Sequence, residues 1–288
     1  MEFEYVAPKS MREAISLLNR YDGKARVIAG GTDLLLQIRD KVINPEYVID
    51  ITEIPGLDQI NYDGKEGLRI GAITTFRALE KSSEIHRRYP VIVRAASQLG
   101  SMAIRNVATI GGNLCNAAPS AESAPALMGL SASVKIVGTL GERVVPLEDF
   151  FTGPGSTVLQ KGELLVEIQV PILPTNTRGI YLKHSMRGTI DLAIVNVAVV
   201  VTLGFQNEIC EDIKIVLGAV APTPMRARKA EAVLRGKKFN EALMNKTAQI
   251  ASEEARPISD VRASAEYRKE MVEVFTRRAI REAFNQHQ

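Results

Sequence analysis

Two pairs of adjacent glycines stand out among the residues whose types and spacing could support chemistry. The first pair, Gly30-Gly31, comes directly after the predicted strand at residues 26–29 and is followed by Thr32-Asp33. Paired glycines allow a sharp bend that brings backbone N–H groups close to a ligand. A helix predicted to open at Leu34 adds the positive end of its dipole, so such a bend can bind a diphosphate without a lysine. An ordinary turn is the alternative, and the motif alone favours it.

The second pair, Gly111-Gly112, lies between Thr109 and Asn113, and Asn116 follows three residues later. It falls in a segment rich in Gly, Ala and Ser, residues 100–125, which has little helical periodicity and is predicted to be an irregular loop. A compact domain rarely contains so long a loop without a use for it. A plain turn is again the alternative, but two such bends could close on one elongated ligand from both sides.

A single carboxylate, Glu122, follows among small residues in the run Ala-Pro-Ser-Ala-Glu-Ser-Ala-Pro at 118–125. It could accept hydrogen bonds from the hydroxyls of a ribityl chain or a ribose. The alternative is a solvated loop acid, which the residue type alone favours because glutamate is usually exposed.

The sequence lacks the usual signatures of catalysis. No dinucleotide fingerprint, P-loop, zinc-protease motif or nucleophile elbow occurs. The histidines His86, His184 and His287 are far apart, which gives little support to a metal site or a triad. Cys115 and Cys210 cannot hold an iron–sulfur cluster, which needs about four ligands. The chain therefore offers binding surfaces rather than a catalytic acid–base set.

Composition excludes several classes of protein. The net charge of +3 comes from 36 basic and 33 acidic residues that are scattered along the chain, which argues against nucleic-acid binding. The longest apolar stretch, residues 192–205, is shorter than the roughly 20 residues that cross a bilayer. Two cysteines and an acidic N-terminal segment without a signal-peptide core predict a cytoplasmic protein.

The elements that must position these motifs suggest two domains, which suits 288 residues. The first part reads as helix, strand, glycine bend and helix, with a helix start at Ser10. Further elements are predicted as strands at 47–51, 68–72, 132–137 and 164–170, with a cap at Thr74 or Thr75 and a helix at 90–99. Residues 171–177 read as a linker. Three strands follow at 179–186, 193–203 and 212–217, and then helices at 226–234, 240–255 and 264–284.

Together the two glycine motifs resemble the FAD loops of the flavoprotein subunits of molybdenum hydroxylases. That family includes the FAD subunits of bacterial xanthine dehydrogenase, carbon monoxide dehydrogenase and nicotinate dehydrogenase. The resemblance covers nearly the whole chain and rests on residues 29–34, 108–116 and 119–125; residues 151–155, 181–187 and 218–226 look closest to the bacterial xanthine dehydrogenase FAD subunit. It implies an α+β fold, with a two-part FAD-binding domain of the vanillyl-alcohol oxidase/PCMH type at 1–173 and a small three-stranded α+β C-terminal flavoprotein domain at 174–288.

The resemblance also implies which residues contact FAD. Those that would wrap the diphosphate are Ile28, Ala29, Gly30, Gly31, Thr32, Asp33 and Leu34. Those that would hold the diphosphate and ribityl region are Thr109, Gly111, Gly112, Asn113 and Asn116. Glu122 stands where the family more usually has Asp. Leu165 would line the adenine end and Lys183 would approach the isoalloxazine or its ribityl chain, with Tyr181 and Asp191 as weaker candidates. Strand packing or a solvated charge is the alternative for these last four.

The same resemblance implies a place in a larger complex. A large subunit would carry the molybdopterin cofactor and oxidise the substrate, and a small subunit with two [2Fe–2S] clusters would relay the electrons. The flavin of this chain would then reduce NAD+, in a dimer of heterotrimers that hydroxylates purines. The alternatives are a complex for nicotinate, an aldehyde or carbon monoxide, and an assembly subunit that has lost its flavin. This chain would contact neither the organic substrate, nor a nucleic acid, nor a membrane.

Overall fold

The computed structural model describes residues 2–204 and 209–285, so His287 lies outside the described part. The chain begins with a small parallel sheet in the order β1-β3-β2, formed by β1 (Glu4–Val6), β2 (Ala25–Ile28) and β3 (Tyr47–Asp50). The helices α1 (Met11–Arg20) and α2 (Leu34–Arg39) connect its strands, as parallel pairing requires. As predicted, Ser10 caps the start of α1, and its hydroxyl accepts a hydrogen bond from Glu13 N–H. The first glycine pair lies between β2 and α2.

A five-stranded antiparallel sheet forms the body of the first part, in the order β4-β5-β10-β6-β7. Its strands are β4 (Ile60–Asp63), β5 (Gly67–Gly71), β6 (Ser133–Gly138), β7 (Gly141–Pro146) and β10 (Leu164–Val170). The hairpin β8 (Phe151–Gly153) and β9 (Ser156–Thr157) lies beside it. The central strand β10 pairs with β5 and β6, so residues far apart in sequence close the sheet.

Helices pack on this sheet and include the segment that the sequence predicts to be a loop. Their bounds are α3 (Phe76–Lys81), α4 (Ser83–Arg88), α5 (Pro90–Ser97), α6 (Met102–Arg105), α7 (Ile110–Asn116) and α8 (Ser123–Gly129). Thr75 caps α3. The prediction of an irregular loop at 100–125 is wrong, because Ser101 and Thr109 cap two short helices there. Helix α8 shows no amphipathic period because all seven of its residues are buried.

The second part is a four-stranded antiparallel sheet covered by helices. Its strands, in spatial order, are β11 (Thr177–His184), β12 (Val195–Leu203), β13 (Cys210–Gly218) and β14 (Met225–Arg226). The first three correspond to the predicted strands, and β14 adds a two-residue edge. Residue Thr177 belongs to β11 rather than to the predicted linker. The helices are α9 (Arg228–Leu234), α10 (Glu241–Glu254) and α11 (Ala265–Asn285).

Strand β12 joins the two parts because both of its faces are buried. Val197 and Val199 belong to the core that α11 covers, whereas Ala198 and Val200 belong to the core of the first part. Alternate residues of a strand point to opposite faces, so a strand buried on both faces is apolar throughout. Gly129 of α8 allows this close packing, since a Cβ there would lie 2.9 Å from Val200 Cγ2.

Polar contacts reinforce the same seam between the two parts. Glu148, which follows β7, forms ion pairs with Arg226 and Arg228 of the second part. Asn196 Nδ2 donates to the carbonyl of Ala121 over 3.4 Å.

Among residues 2–204 and 209–285, no helix combines the length and the apolar character that a membrane crossing requires.

Candidate functional site

A cleft of about 580 Å³ lies between the two glycine segments. Fourteen of the fifteen residues predicted to contact FAD line it: Ile28, Ala29, Gly30, Gly31, Thr32, Asp33, Leu34, Thr109, Gly111, Gly112, Asn113, Asn116, Glu122 and Leu165. The fifteenth, Lys183, does not line it. Other lining residues were not predicted from the sequence, among them Arg26, Gln37, Ile104, Cys115, Thr189, Ile190 and Leu192.

The first glycine pair forms the wall that has free backbone donors. A Cβ on Gly30 would lie 2.0 Å from the carbonyl oxygen of Val107, so only glycine fits there without a shift. Gly31 has a φ of +70°, a left-handed conformation that favours glycine. Within the described residues, the backbone N–H groups of 30–33 donate to no protein group. These donors therefore remain for a ligand, and burial raises the pKa of the nearby Asp33 carboxyl.

The second glycine pair lies inside helix α7 and is not the predicted bend. The backbone N–H of Ile110 donates to Thr74 O over 3.0 Å, and that of Gly111 donates to Ala72 O over 2.8 Å. The N–H of Gly112 donates to the capping hydroxyl of Thr109. The expectation that this pair offers backbone donors to a phosphate is therefore wrong, because the protein itself uses those donors. Gly111 instead allows close packing, since a Cβ there would lie 2.6 Å from Ala72 O.

Two side-chain amides lie on this second wall beside the glycine pair. Asn113 and Asn116 both line the cleft from α7. Asn113 Oδ1 accepts a hydrogen bond of 2.5 Å from the hydroxyl of Ser123. Asn116 Oδ1 accepts one of 3.3 Å from Nε2 of Gln37, which belongs to α2 on the first wall. The two walls are thus joined by a direct side-chain contact.

Glu122 and Lys183 form a buried ion pair of 2.8 Å at the cleft. Their side chains are only 8% and 1% exposed, so Glu122 is not the solvated loop acid of the alternative interpretation. Burial raises the pKa of Glu122, and the Lys183 ammonium opposes that shift. Lys183 Nζ also donates to the carbonyls of Gln98 and Thr189, so all three of its N–H groups have protein acceptors. Its contact to a flavin stays a prediction.

The weaker candidates have different surroundings. Tyr181 is fully buried next to Glu122, and burial raises the pKa of its hydroxyl well above the ordinary value. Asp191 lines the cleft and pairs with Arg187 over 2.9 Å. Cys115 also lines the cleft, and burial raises the pKa of its thiol to about 12, so it is not a thiolate near neutral pH. No cluster of three or more metal-ligating side chains occurs in the described part of the chain.

Comparisons with known proteins identify the family. A family model described as the FAD binding domain in molybdopterin dehydrogenase matches residues 1–173. A second, described as the CO dehydrogenase flavoprotein C-terminal domain, matches residues 180–283. The chain belongs to the FAD-binding subunits of the molybdenum hydroxylases. This confirms the resemblance and the predicted fold class.

Relatives of this FAD subunit match over nearly its whole length. The glyceraldehyde dehydrogenase medium chain of Sulfolobus acidocaldarius is 36% identical, over 98% of both chains. The xanthine dehydrogenase FAD-binding subunit of Escherichia coli O157:H7 is 33% identical, over 97% of this chain and 95% of the relative. The carbon monoxide dehydrogenase structure from Hydrogenophaga pseudoflava matches with a TM-score of 0.95 and 34% identity, over 99% and 98% of the chains. Their names differ in substrate although their identities are similar.

Proposed function

We propose that this subunit binds one FAD in the cleft, accepts electrons from [2Fe–2S] clusters on a partner subunit and passes hydride to NAD+. One observation carries the proposal: a wall of free backbone N–H groups at residues 30–33 faces a wall of asparagine amides across the cleft. The proposed contacts are those predicted from the sequence, except that Gly111 and Gly112 act by allowing close packing. We assign the FAD-binding domain to residues 1–173 and the C-terminal domain to residues 174–288.

The residues of the cleft fit a dinucleotide with a diphosphate at its centre. The space beside Gly30 has no room for a side chain, so backbone can approach a ligand closely there. Uncharged N–H and amide donors can bind phosphoryl oxygens without a lysine. Leu165 and Ile51 add apolar surface that suits an aromatic ring. These residues bind and orient FAD, and Glu122 has the carboxylate oxygens to accept from a ribityl hydroxyl.

Bound FAD supplies the redox chemistry, because it accepts electrons and releases hydride. The chain needs no acid–base residue for that exchange. The sequence has two cysteines, fewer than the roughly four ligands that an iron–sulfur cluster needs, so we place the clusters on another chain. The partners that we propose are a molybdopterin-binding large subunit and a [2Fe–2S] small subunit, assembled as a cytoplasmic dimer of heterotrimers.

Purine hydroxylation is the activity that we propose for the whole complex, from the resemblance of residues 181–187 and 218–226 to the xanthine dehydrogenase branch. The named substrate of the glyceraldehyde dehydrogenase relative supports an aldehyde as the second candidate. Nicotinate and carbon monoxide remain alternatives through other relatives. A flavin-free assembly subunit is an alternative of another class.

Flavin binding tests the proposal at the level of this chain. The purified chain, mixed with FAD and freed of unbound ligand, should retain about one FAD per chain by absorbance. Absence of retained flavin, with the chain folded by circular dichroism, would favour the assembly subunit. The complex purified with its partners should then reduce NAD+ when given xanthine. Turnover of glyceraldehyde, nicotinate or carbon monoxide in place of xanthine would redirect the substrate, and turnover with only artificial acceptors would exclude NAD+.

A further inference from the structure

The glycine pair on the second wall of the cleft donates its backbone N–H groups to the protein, so the side chains of α7 are the donors that we consider there. Asn113 and Asn116 lie on α7 and line the cleft. We propose that Ser123 and Gln37 are positioning residues that turn the amide N–H₂ groups of Asn113 and Asn116 toward the diphosphate of FAD. This inference rests on the proposed binding of FAD.

Ser123 orients Asn113 through a single short hydrogen bond. The serine is only 5% exposed and begins α8, so its position is fixed by burial. Its hydroxyl donates to Asn113 Oδ1 over 2.5 Å. The oxygen and nitrogen of an amide lie on opposite branches of one plane, so holding Oδ1 also fixes the direction of Nδ2. Within the described residues, Asn113 Nδ2 donates to no protein group, which leaves its two N–H donors for a ligand.

Gln37 does the same for Asn116 from the opposite wall. It lies on α2, directly after the first glycine pair, and it lines the cleft itself. Its Nε2 donates to Asn116 Oδ1 over 3.3 Å, across a sequence separation of 79 residues. In the described part of the chain, Asn116 Nδ2 likewise has no protein acceptor. Gln37 therefore sets the direction of the amide and also the spacing of the two walls.

The orientation matters because a diphosphate has only acceptors to offer on its oxygens. An asparagine that presents Nδ2 attracts a phosphoryl oxygen, whereas one that presents Oδ1 repels it. Both orientations have nearly the same shape, so packing alone does not choose between them. The hydroxyl of Ser123 and the amide of Gln37 make that choice before the ligand arrives, and preorganised donors improve affinity.

The test measures FAD affinity of the full chain by the change in flavin fluorescence. Gln37→Met and Ser123→Ala each remove the orienting donor while keeping much of the volume. Each should weaken FAD binding by roughly three- to tenfold, the range of one hydrogen bond. Gln249→Met is the matched control, because Gln249 lies on the exposed surface of α10 and its side chain contacts Glu253. It should leave the affinity unchanged.

A double-mutant cycle separates positioning from packing. In an Asn116→Ala background, Gln37→Met should cause no further loss of affinity, and in an Asn113→Ala background neither should Ser123→Ala. Gln37→Glu tests the direction itself, because a carboxylate only accepts and Asn116 must then turn Nδ2 away from the ligand. It should weaken binding more than Gln37→Met does.

Three results would overturn the inference. The first is that Gln37→Met and Ser123→Ala weaken FAD binding as much in the alanine backgrounds as in the wild-type chain. The second is wild-type FAD affinity in both Gln37→Met and Ser123→Ala, and the third is wild-type FAD affinity in Gln37→Glu. Circular dichroism and the melting temperature show whether each variant is folded, and Ser123→Ala, which removes one oxygen, keeps the test available if a Gln37 variant unfolds. A wild-type chain that binds no FAD would instead overturn the proposed function.

Discussion

Gly30 is a residue at which a single methyl group should matter. A Cβ there would lie 2.0 Å from Val107 O, so Gly30→Ala must displace either the bend or the segment before α7. We expect Gly30→Ala to weaken FAD binding by about five- to a hundredfold, which corresponds to the roughly 1–3 kcal/mol that overpacking costs. Equilibrium dialysis with FAD measures the effect. Gly153→Ala is the control, because a Cβ at Gly153 meets nothing within 4 Å; equal affinity in the two variants would contradict the expectation.

Because Glu122 and Lys183 form a buried pair, we expect the stability of a variant without the lysine to depend on pH. Lys183→Met leaves Glu122 buried without its ammonium, and removing one partner of a buried pair costs about 3–5 kcal/mol while the other stays charged. Burial already raises the pKa of Glu122 above its usual 4.5. A raised pKa in the folded chain gives stability that is full below the unfolded pKa and is lost as pH rises through the folded pKa.

Lys183→Met should therefore be less destabilised at pH 5 than at pH 8, measured as the free energy of urea unfolding relative to the wild type. The double variant Lys183→Met/Glu122→Gln is the control, because it carries neither charge. Its own free energy of unfolding should change less between pH 5 and pH 8 than that of Lys183→Met does. A loss in Lys183→Met that is the same at pH 5 and pH 8 would contradict this expectation, because the protonation of Glu122 would then not change between the two pH values.

The connection between α10 and α11 is an element held in place by one carboxylate. Asp260 Oδ1 accepts from Arg268 Nη2 over 2.8 Å and from the backbone N–H of Arg262 over 2.8 Å. Burial alone raises the pKa of Asp260, but these hydrogen bonds outweigh it and lower the pKa to about 2. Arg268, itself 3% exposed, continues the contact to the carbonyls of Ile194 and Ala219. The segment is thus anchored to the end of the second sheet.

Asp260→Asn should destabilise the chain by about 1–3 kcal/mol near neutral pH, since it leaves a buried guanidinium without its anion. The pKa of Asp260 is lowered from 3.8, so its contribution is present above pH 3.8 and is lost as pH falls toward about 2. Urea unfolding at a series of pH values should show the difference from wild type narrowing below pH 3.8. Asp58→Asn, at an exposed position, should show no such trend. A gap that stays constant down to pH 2 would refute the role of the carboxylate.

Elements with strong local signals could be predicted from the sequence, and elements without them could not. The caps at Ser10 and Thr75 and the proline at the start of α5 predicted three helix starts. Strands β1 and β7 were missed because both are largely exposed, with little apolar alternation. Helices α6 and α7 were missed because a helix of one or two turns has no readable period.

The cleft was predictable in outline, but its chemistry was only partly so. Both glycine pairs were found, yet the use of Gly111 N–H by Ala72 depends on how α7 meets the end of β5. The roles that we propose for Gln37 and Ser123 arise only when segments distant in sequence meet, and no local pattern marks them. The pairing of Glu122 with Lys183 spans 61 residues and the seam between the two parts.

At the scale of the whole molecule, the two parts share a core and should unfold together. Leu127 of α8 packs in the same buried cluster as Val200 and Val216 of the second sheet. Urea unfolding followed by circular dichroism and by tyrosine fluorescence should therefore give one coincident transition. Gly129→Val should lower the free energy of unfolding by about 1–3 kcal/mol, because the added side chain crowds Val200. Gly64→Ala, with open space around it, is the control; two separate transitions in the wild type would show independent domains.

Helix α8 connects the second sheet to the cleft. Its first residue, Ser123, contacts Asn113, and the residue before it is Glu122. Its last residue, Gly129, leaves no room for a Cβ beside Val200. This helix of seven residues thus begins beside the cleft and ends at the seam between the two parts. Substitutions on the far side of β12 that displace α8 should weaken FAD binding although they do not contact the cleft. The amount of FAD that the chain retains would then report on the packing between the two parts.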